Sequence, residues 1–326
     1  MYTVVLLDDL NGVNYHRIMM PFERMIQYGY DKVYFVKDIS EIIDMNLELV
    51  SNVVIPRQLE IVQYHIFKKI MNDAKIRIIV DIDDYWILNK DNYAFKEFDA
   101  HVRPNIIQTV RIADVVWTPS EYLAKLIRNV NPKCKIEIVP NALNHHAEQW
   151  QQKKKKSKSL RFGFTGAGGH VKDLDVIGYT FENKKLYCTN AENYVSRLKA
   201  SNPVAWTDMF NYGKVYENID VSISPLRKNR FNMCKSDLKV VEAAFTDTAI
   251  IASNVTPYRE SIIHGVTGIL CSTHAQWRDA IESMTKEKAQ ELASNLKEAY
   301  YEKRNIDTVN EIRIKSLREH IKPQLH

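Results

Sequence analysis

The chain has 326 residues, a formal net charge of +5, 45% hydrophobic residues and 26% charged residues. That length gives room for two domains with cores of their own. The composition is that of an ordinary globular protein, and the mild positive charge suits an anionic substrate or surface without selecting either. No run of about 18 apolar residues occurs, which excludes a membrane-spanning helix. Cys134, Cys188, Cys234 and Cys271 show no C-x-x-C spacing, so reduced thiols in a cytosolic protein are expected rather than a zinc frame or disulfide scaffold.

The N-terminal MYTVVLLDDL lacks the basic start and small-residue cleavage site of a signal peptide and reads as a first strand over residues 3–7. Ile18, Phe22 and Ile26 recur at helical spacing up to Gly29, with Pro21 tolerable only near the first turn. Between strand and helix lies a polar, flexible loop containing Gly12, Asn14, Tyr15, His16 and Arg17. His16 is open to two readings, a solvated loop residue or a functional one. Further strands are expected at 32–36, 52–55 and 75–80.

The last of these runs into Asp81-Ile82-Asp83-Asp84-Tyr85-Trp86. Three readings remain open for this acidic end. One is a metal-binding D-x-D, one an acceptor-side or catalytic cluster, and one a helix cap with an acidic first turn. Strands at 112–120 and 136–143 flank a helix at 121–129, with Ser120 as its N-cap and Pro140-Asn141 closing the second strand. HHAEQWQQKKKKSKSL has no apolar period and reads as a solvated linker. The expected organisation is therefore a domain over 1–150, a Lys-rich linker over 151–159, a second domain over 160–300 and a C-terminal helical stretch over 301–326.

The second domain opens on a strand at 160–165 that leads into Gly166-Ala167-Gly168-Gly169-His170. Glycines after a strand let backbone N–H groups approach a phosphate, although the G-x-G-x-x-G dinucleotide fingerprint is not met. A buried strand at 219–224 precedes a basic loop with Arg227, Lys228, Arg230 and Lys235. A helix follows, opening near Ser236, with Leu238, Val241 and Phe245 on its buried face and Lys239 and Glu242 opposite. Strand–helix–strand units of this kind make parallel sheets that bind ligands beyond the strands' carboxyl ends. A helix N-terminus beside a basic loop suits phosphate, and an ionised carboxylate suits a pair of vicinal hydroxyls.

KSDLKVVEAAFTDTAIIASNVTPYRE…GVTGIL resembles the donor-binding half of the retaining glycosyltransferases of the GT-B fold that carry an E-x7-E motif. ADVVWTPSEYLAKLI…IEIVPNALN is similar to the end of that family's first domain, and GFTGAGGHVKDL to the start of its second. Cys234 stands where the first motif Glu falls. Lys235, Ser236, Lys239 and Glu242 fit instead a K-S-x-x-K-x-x-E version found in compact bacterial and phage-type members.

The resemblance implies an α/β fold of two Rossmann-like domains with an active-site cleft between them, the C-terminal helix crossing back to the first domain. It implies transfer of a sugar, with retention, from a nucleoside-diphosphate sugar, of which a UDP-sugar is favoured, to a hydroxyl acceptor. Donor-binding residues would be Gly166, Gly168, Gly169, His170, Arg227, Lys235, Lys239 and Glu242, the last on the ribose. Asp83, Asp84, His16 and Lys235 would form the catalytic set, with Gly12, Asn14, Tyr15 and Arg17 on the acceptor side. No metal and no cofactor are expected, because the cations of the second half already answer the charge of a leaving diphosphate. The acceptor would be a saccharide, a lipid-linked sugar or a modified DNA base. The protein would sit in the cytoplasm, free or peripheral to a membrane, or in a host's cytoplasm if phage-encoded. A non-catalytic nucleotide-sugar binder or partner subunit is the alternative from another class.

Overall fold

Two sheets, each of six parallel strands, organise the protein in a computed structural model that describes every residue except 31, 93, 167, 190–196, 206 and 320–326. The chain divides into two units. The first comprises Met1–Asn141, Cys234–Ser236 and Ile306–His326, and the second Ala142–Met233 and Asp237–Asn305.

In the first unit the strands are β1 (Tyr2–Leu6), β2 (Val33–Val36), β3 (Val50–Pro56), β4 (Arg77–Asp81), β5 (Val115–Thr118) and β6 (Lys135–Ile138), in the order β2-β1-β3-β4-β5-β6. β3 and β4 are buried along their whole length, which is why they read as continuous apolar runs without alternation. Their carboxyl ends are in register, with Pro56 beside Asp81.

The stretch expected as a flexible polar loop is a capped helical turn instead. Asn11 Oδ1 accepts from the amides of Val13 and Asn14 and starts a helix at Gly12. A wide π turn, Tyr15–Met19, continues it into Met20–Gln27. The π turn has a steric cause: Pro21 lacks an N–H, and its ring would strike the Arg17 carbonyl in a regular α-helix. The same arrangement recurs at Phe98–Val102 ahead of Pro104. The helix Ile306–Arg318 belongs to this unit. Asn310 Nδ2 donates to the Pro21 carbonyl at 2.9 Å, and Trp117 Nε1 donates to Ser316 Oγ at 3.1 Å.

The second unit contains β7 (Arg161–Phe164), β8 (Lys185–Thr189), β9 (Asn202–Val204), β10 (Val221–Ser224), β11 (Ala249–Ser253) and β12 (Ile269–Cys271), in the order β12-β11-β10-β7-β8-β9. Alternate residues of β11 feed two cores. Ala249 and Ile251 pack with Phe162, Phe181 and Trp277, while Ile250 and Ala252 pack with Val241, Phe245 and Leu296. A Cβ at Gly163 would lie 2.3 Å from Ile219 Cδ1, so close packing between neighbouring strands demands glycine there.

The Lys-rich stretch is not wholly solvated. The Lys154 ammonium donates to the carbonyls of Tyr216 (3.0 Å) and Ile219 and to Thr248 Oγ1 (2.5 Å). Burial pushes its pKa down to about 7. A pattern of polar residues cannot reveal that one lysine in a run caps carbonyls far away in sequence.

Candidate functional site

In the second unit the centre is the helix Leu238–Phe245. Its N-cap is Asp237, one residue later than the expected Ser236, and Asp237 is held by Arg304 at 2.6 Å and by Ser261 at 2.6 Å. Nor does the helix keep one polar face. Val240, Val241, Ala243, Ala244 and Phe245 are all buried, and Glu242 is buried among them at 1% exposure. A carboxylate so placed needs partners of opposite charge or strong donors.

Glu242 has both. Its Oε2 accepts from Lys239 Nζ at 2.7 Å and from the Tyr216 hydroxyl at 2.6 Å. Tyr216 also meets Thr165 Oγ1 at 3.1 Å, and the Tyr212 hydroxyl donates to the Thr165 carbonyl at 2.9 Å and takes a hydrogen bond from Lys239. Thr165 directly follows β7, so the network joins that strand's carboxyl end, the 3-10 helix Tyr212–Asn218 and the helix of Glu242. Burial disfavours the Lys239 ammonium, but the Glu242 carboxylate and the Tyr212 oxygen outweigh it and raise its pKa. Burial first, and then Glu242, raise the pKa of both tyrosines, which stay protonated as donors.

β7 is followed by Thr165 and Gly166, and the 3-10 helix Gly168–Val176 comes next, Ala167 lying outside the described residues. Gly166 has a packing reason of its own, since a Cβ there would lie 2.2 Å from the Phe164 ring. His170 Nδ1 hydrogen-bonds Asp173 Oδ2 at 2.8 Å. The other oxygen of buried Asp173 accepts from the Arg227 amide (3.0 Å) and from Asn232 Nδ2 (2.8 Å), and the Arg227 guanidinium lies 3.5 Å away. Burial alone would raise the Asp173 pKa, but the hydrogen bonds from His170, Arg227 and Asn232 lower it below the usual carboxylate value. An ionised Asp173 thus fixes the imidazole of His170 and ties the basic loop to the helix Gly168–Val176.

In the first unit, Arg17 is buried and not part of a mobile loop. Its Nε and Nη2 each donate to a different oxygen of Asp81 at 2.8 Å, and Nη1 donates to the Val139 carbonyl (2.7 Å) and Asn141 Oδ1 (2.8 Å). Asn141 Nδ2 in turn donates to Ser236 Oγ at 2.7 Å. Asn14 is buried with its side chain on the Asp9 carbonyl at 2.7 Å. Tyr15 is buried, its ring edge-on to His16 at 5.1 Å between centroids. Gly12 stands in open space at the helix start.

Asp83 and Asp84 follow β4 and are partly exposed. Desolvation, and then the neighbouring Asp84, push the Asp83 pKa up to about 6. Lys235 Nζ lies 3.5 Å from Asp84 Oδ1. Lys235 belongs to the first unit, unlike Lys239 and Arg227, with which the sequence grouped it. Asp81, the first residue of the D-x-D spacing, has both oxygens engaged by Arg17 and does not form an open pair with Asp83. Cys234, at the position of the first motif Glu, is fully buried.

Tyr216 and Asn232 escaped sequence reasoning, and Tyr212 closes the segment 206–212, whose aromatics the sequence leaves as packing or base-flanking residues. Tyr212 and Tyr216 are four residues apart in a 3-10 helix, so spacing alone does not put them on one face; the contacts of both with Thr165 do.

Residues 140–287 match the family model described as glycosyl transferases group 1. No curated protein matches the sequence. The structure is similar to a glycosyltransferase from Rickettsia africae ESF-5, with a TM-score of 0.67 at 10% identity over 99% of each chain. It is also similar to HepE of Anabaena in complex with UDP, with a TM-score of 0.65 at 11% identity over 98% of this chain and 100% of that one. The pneumococcal O-GlcNAc transferase GtfA, in complex with UDP and GlcNAc, gives a TM-score of 0.59 at 10% identity over 87% of this chain and 59% of that one. At such identities the structural likeness establishes the α/β fold of GT-B type, and the matched domain makes the chain a transferase.

Proposed function

We propose that this glycosyltransferase moves a sugar from a UDP-sugar to a hydroxyl acceptor, with retention of configuration and without a metal ion. The observation that carries the reading is the buried Glu242 carboxylate, held on one oxygen by Lys239 and Tyr216 in the domain that matches the family model. Its Oε1 is left to accept from the vicinal hydroxyls of a ribose, and hydrogen bonds to an ionised acceptor are the stronger kind. UDP-bound neighbours such as HepE support uridine as the base.

The leaving diphosphate gains one negative charge as the glycosidic bond breaks, and preorganised donors are the main device for stabilising it. Arg227, tied to Asp173, and the backbone amides of Gly168 and Gly169 are the groups of the second unit suited to it, with His170 oriented by Asp173 as a further donor. Lys239 is committed to Glu242 and Tyr212, so it positions the ribose carboxylate rather than the phosphate. The engagement of Asp81 by Arg17 favours the metal-independent reading, since a D-x-D metal site needs both carboxylates free. On the acceptor side, Asp83 is the group suited to take the hydroxyl proton, because a base with a pKa of about 6 is ionised at neutral pH yet more basic than an ordinary aspartate. Lys235 beside Asp84 stabilises the charge on that pair.

The test is a melting screen with UDP-, GDP- and dTDP-sugars. UDP and one UDP-sugar are expected to raise the melting temperature, GDP- and dTDP-sugars are not. Stabilisation by GDP or dTDP species but not by UDP contradicts the assignment.

A further inference from the structure

The carboxyl end of β3 carries a feature that the reading above leaves unused. Arg57 has φ of +52°, in the left-handed region that a side chain with a Cβ rarely adopts. Lys75, Lys199 and Asp247 share that conformation, but each follows helical residues, where a left-handed residue closes the last turn. Arg57 follows a strand. The amide of Gln58 donates to the Pro56 carbonyl at 2.5 Å, so Arg57 is the middle of a three-residue γ-turn of the strained, positive-φ kind. Its own amide donates to the Asp81 carbonyl at 2.8 Å, which pins the turn against the end of β4.

Two buried polar atoms on this turn lack partners among the described residues: Arg57 Nε, a donor, and Gln58 Oε1, an acceptor. Unsatisfied groups of this sort each cost free energy, and strained backbone persists where something over-determines it. The Arg57 guanidinium sits over the Phe98 ring at 5.3 Å and acts electrostatically on Asp83.

We propose that Arg57 and Gln58 read the acceptor, and that the acceptor group they read is a neutral vicinal diol of a saccharide. The class follows from counting donors against acceptors at this strand end. Gln58 Oε1, Asp83 and Asp84 all accept, while Arg57 Nε donates. A sugar hydroxyl both donates and accepts and can meet all of them. A phosphate ester offers acceptor oxygens only, so it could serve the Arg57 guanidinium but would leave Gln58 Oε1 without a donor and meet Asp83 and Asp84 with its own sign. Nucleic acid and phosphorylated lipid heads are disfavoured on the same ground.

The inference rests on the proposed donor reading, and the experiment separates the two. Binding of methyl β-D-glucopyranoside and of glycerol 3-phosphate to the full chain, saturated with UDP, is measured by ligand-observed NMR for wild type, Arg57→Ala and Arg57→Lys. Wild type is expected to bind the glucoside in preference to the phosphate. Both variants are expected to lose about tenfold in glucoside affinity, the loss for one hydrogen bond to a charged group, with UDP affinity unchanged as the sign of an intact fold. Unaltered glucoside binding in Arg57→Ala, recovery in Arg57→Lys, preference for glycerol 3-phosphate, or no glucoside binding by wild type each overturns the inference. Failure of wild type to bind UDP at all overturns the donor reading, and this inference falls with it.

Discussion

Replacing Glu242 by glutamine isolates the ribose contact from the packing around it. In the native network Oε2 accepts from Tyr216 at 2.6 Å and from Lys239 at 2.7 Å. The amide oxygen of glutamine can keep both donors, which places the NH2 group where Oε1 was and turns an acceptor into a donor. Lys239 keeps its hydrogen bond to Tyr212. Both Glu242→Gln and Glu242→Ala strip the buried Lys239 ammonium of its counter-charge, but glutamine keeps the hydrogen bonds and the volume, so its cost should stay below the roughly 3–5 kcal/mol expected for Glu242→Ala. Loss of a hydrogen bond to a charged acceptor is worth about 1.5–3 kcal/mol, or roughly 10- to 150-fold in the Kd of UDP. The assay is titration calorimetry of wild type and Glu242→Gln with UDP and with 2′,3′-dideoxy-UDP, forming a cycle between the side chain and the hydroxyls. The substitution should weaken UDP by that factor and leave the dideoxy compound nearly unaffected. Equal losses for both nucleotides in a folded variant would refute the ribose assignment.

Asp83→Asn tests the acceptor-side base. The folded pKa of Asp83, about 6, lies above the ordinary aspartate value of 3.8, so its stabilising contribution is complete below about pH 4 and is lost as pH rises through about 6. The variant should thus be more stable than wild type near pH 8 by up to about 3 kcal/mol and equal to it below about pH 4, while transfer to acceptor drops. Wild-type transfer should rise as pH passes through about 6; identical melting at high pH, or a flat rate profile, contradicts the assignment. Arg17→Met leaves the buried Asp81 carboxylate without its partner and should cost about 3–5 kcal/mol in urea unfolding, with Arg17→Met/Asp81→Leu recovering much of it. A single variant within about 1 kcal/mol of wild type would show that the pair is not a buried anchor. Activity should persist in excess EDTA within a factor of about two to three, a barrier change below about 1 kcal/mol. Loss of activity in EDTA, restored by Mn²⁺ and abolished in Asp83→Asn, would make the acidic cluster a metal site.

The two sheets were legible because parallel strands buried on both faces are short apolar runs, and β3, β4, β10 and β11 are of that kind. β9 is a three-residue strand at the sheet's edge containing Pro203, and its sequence has no strand signature. Glu242 and Lys239 were legible as neighbours on one helix. Their burial was not, because Tyr216 reaches Glu242 from 26 positions away in sequence. Arg17 and Asp81 are separated by 64 positions, so a loop arginine and a strand-end aspartate each looked available for ligand when they are in fact partners. Asp173 lay in the HVKDL stretch, but its part in orienting His170 and Arg227 depends on a fold that joins it to Asn232. Lys235 and Lys239 are four residues apart and belong to different units, a division that residue spacing alone does not express.

The most direct measurement is the ³¹P NMR time course of UDP-glucose and related UDP-sugars incubated with the purified chain. The expected result is the slow appearance of UDP resonances from one UDP-sugar, faster when a saccharide acceptor is added and strongly reduced in Glu242→Gln. Every UDP-sugar remaining intact over days, with acceptor present and a folded protein in the tube, would contradict the assignment of a UDP-sugar-dependent glycosyltransferase.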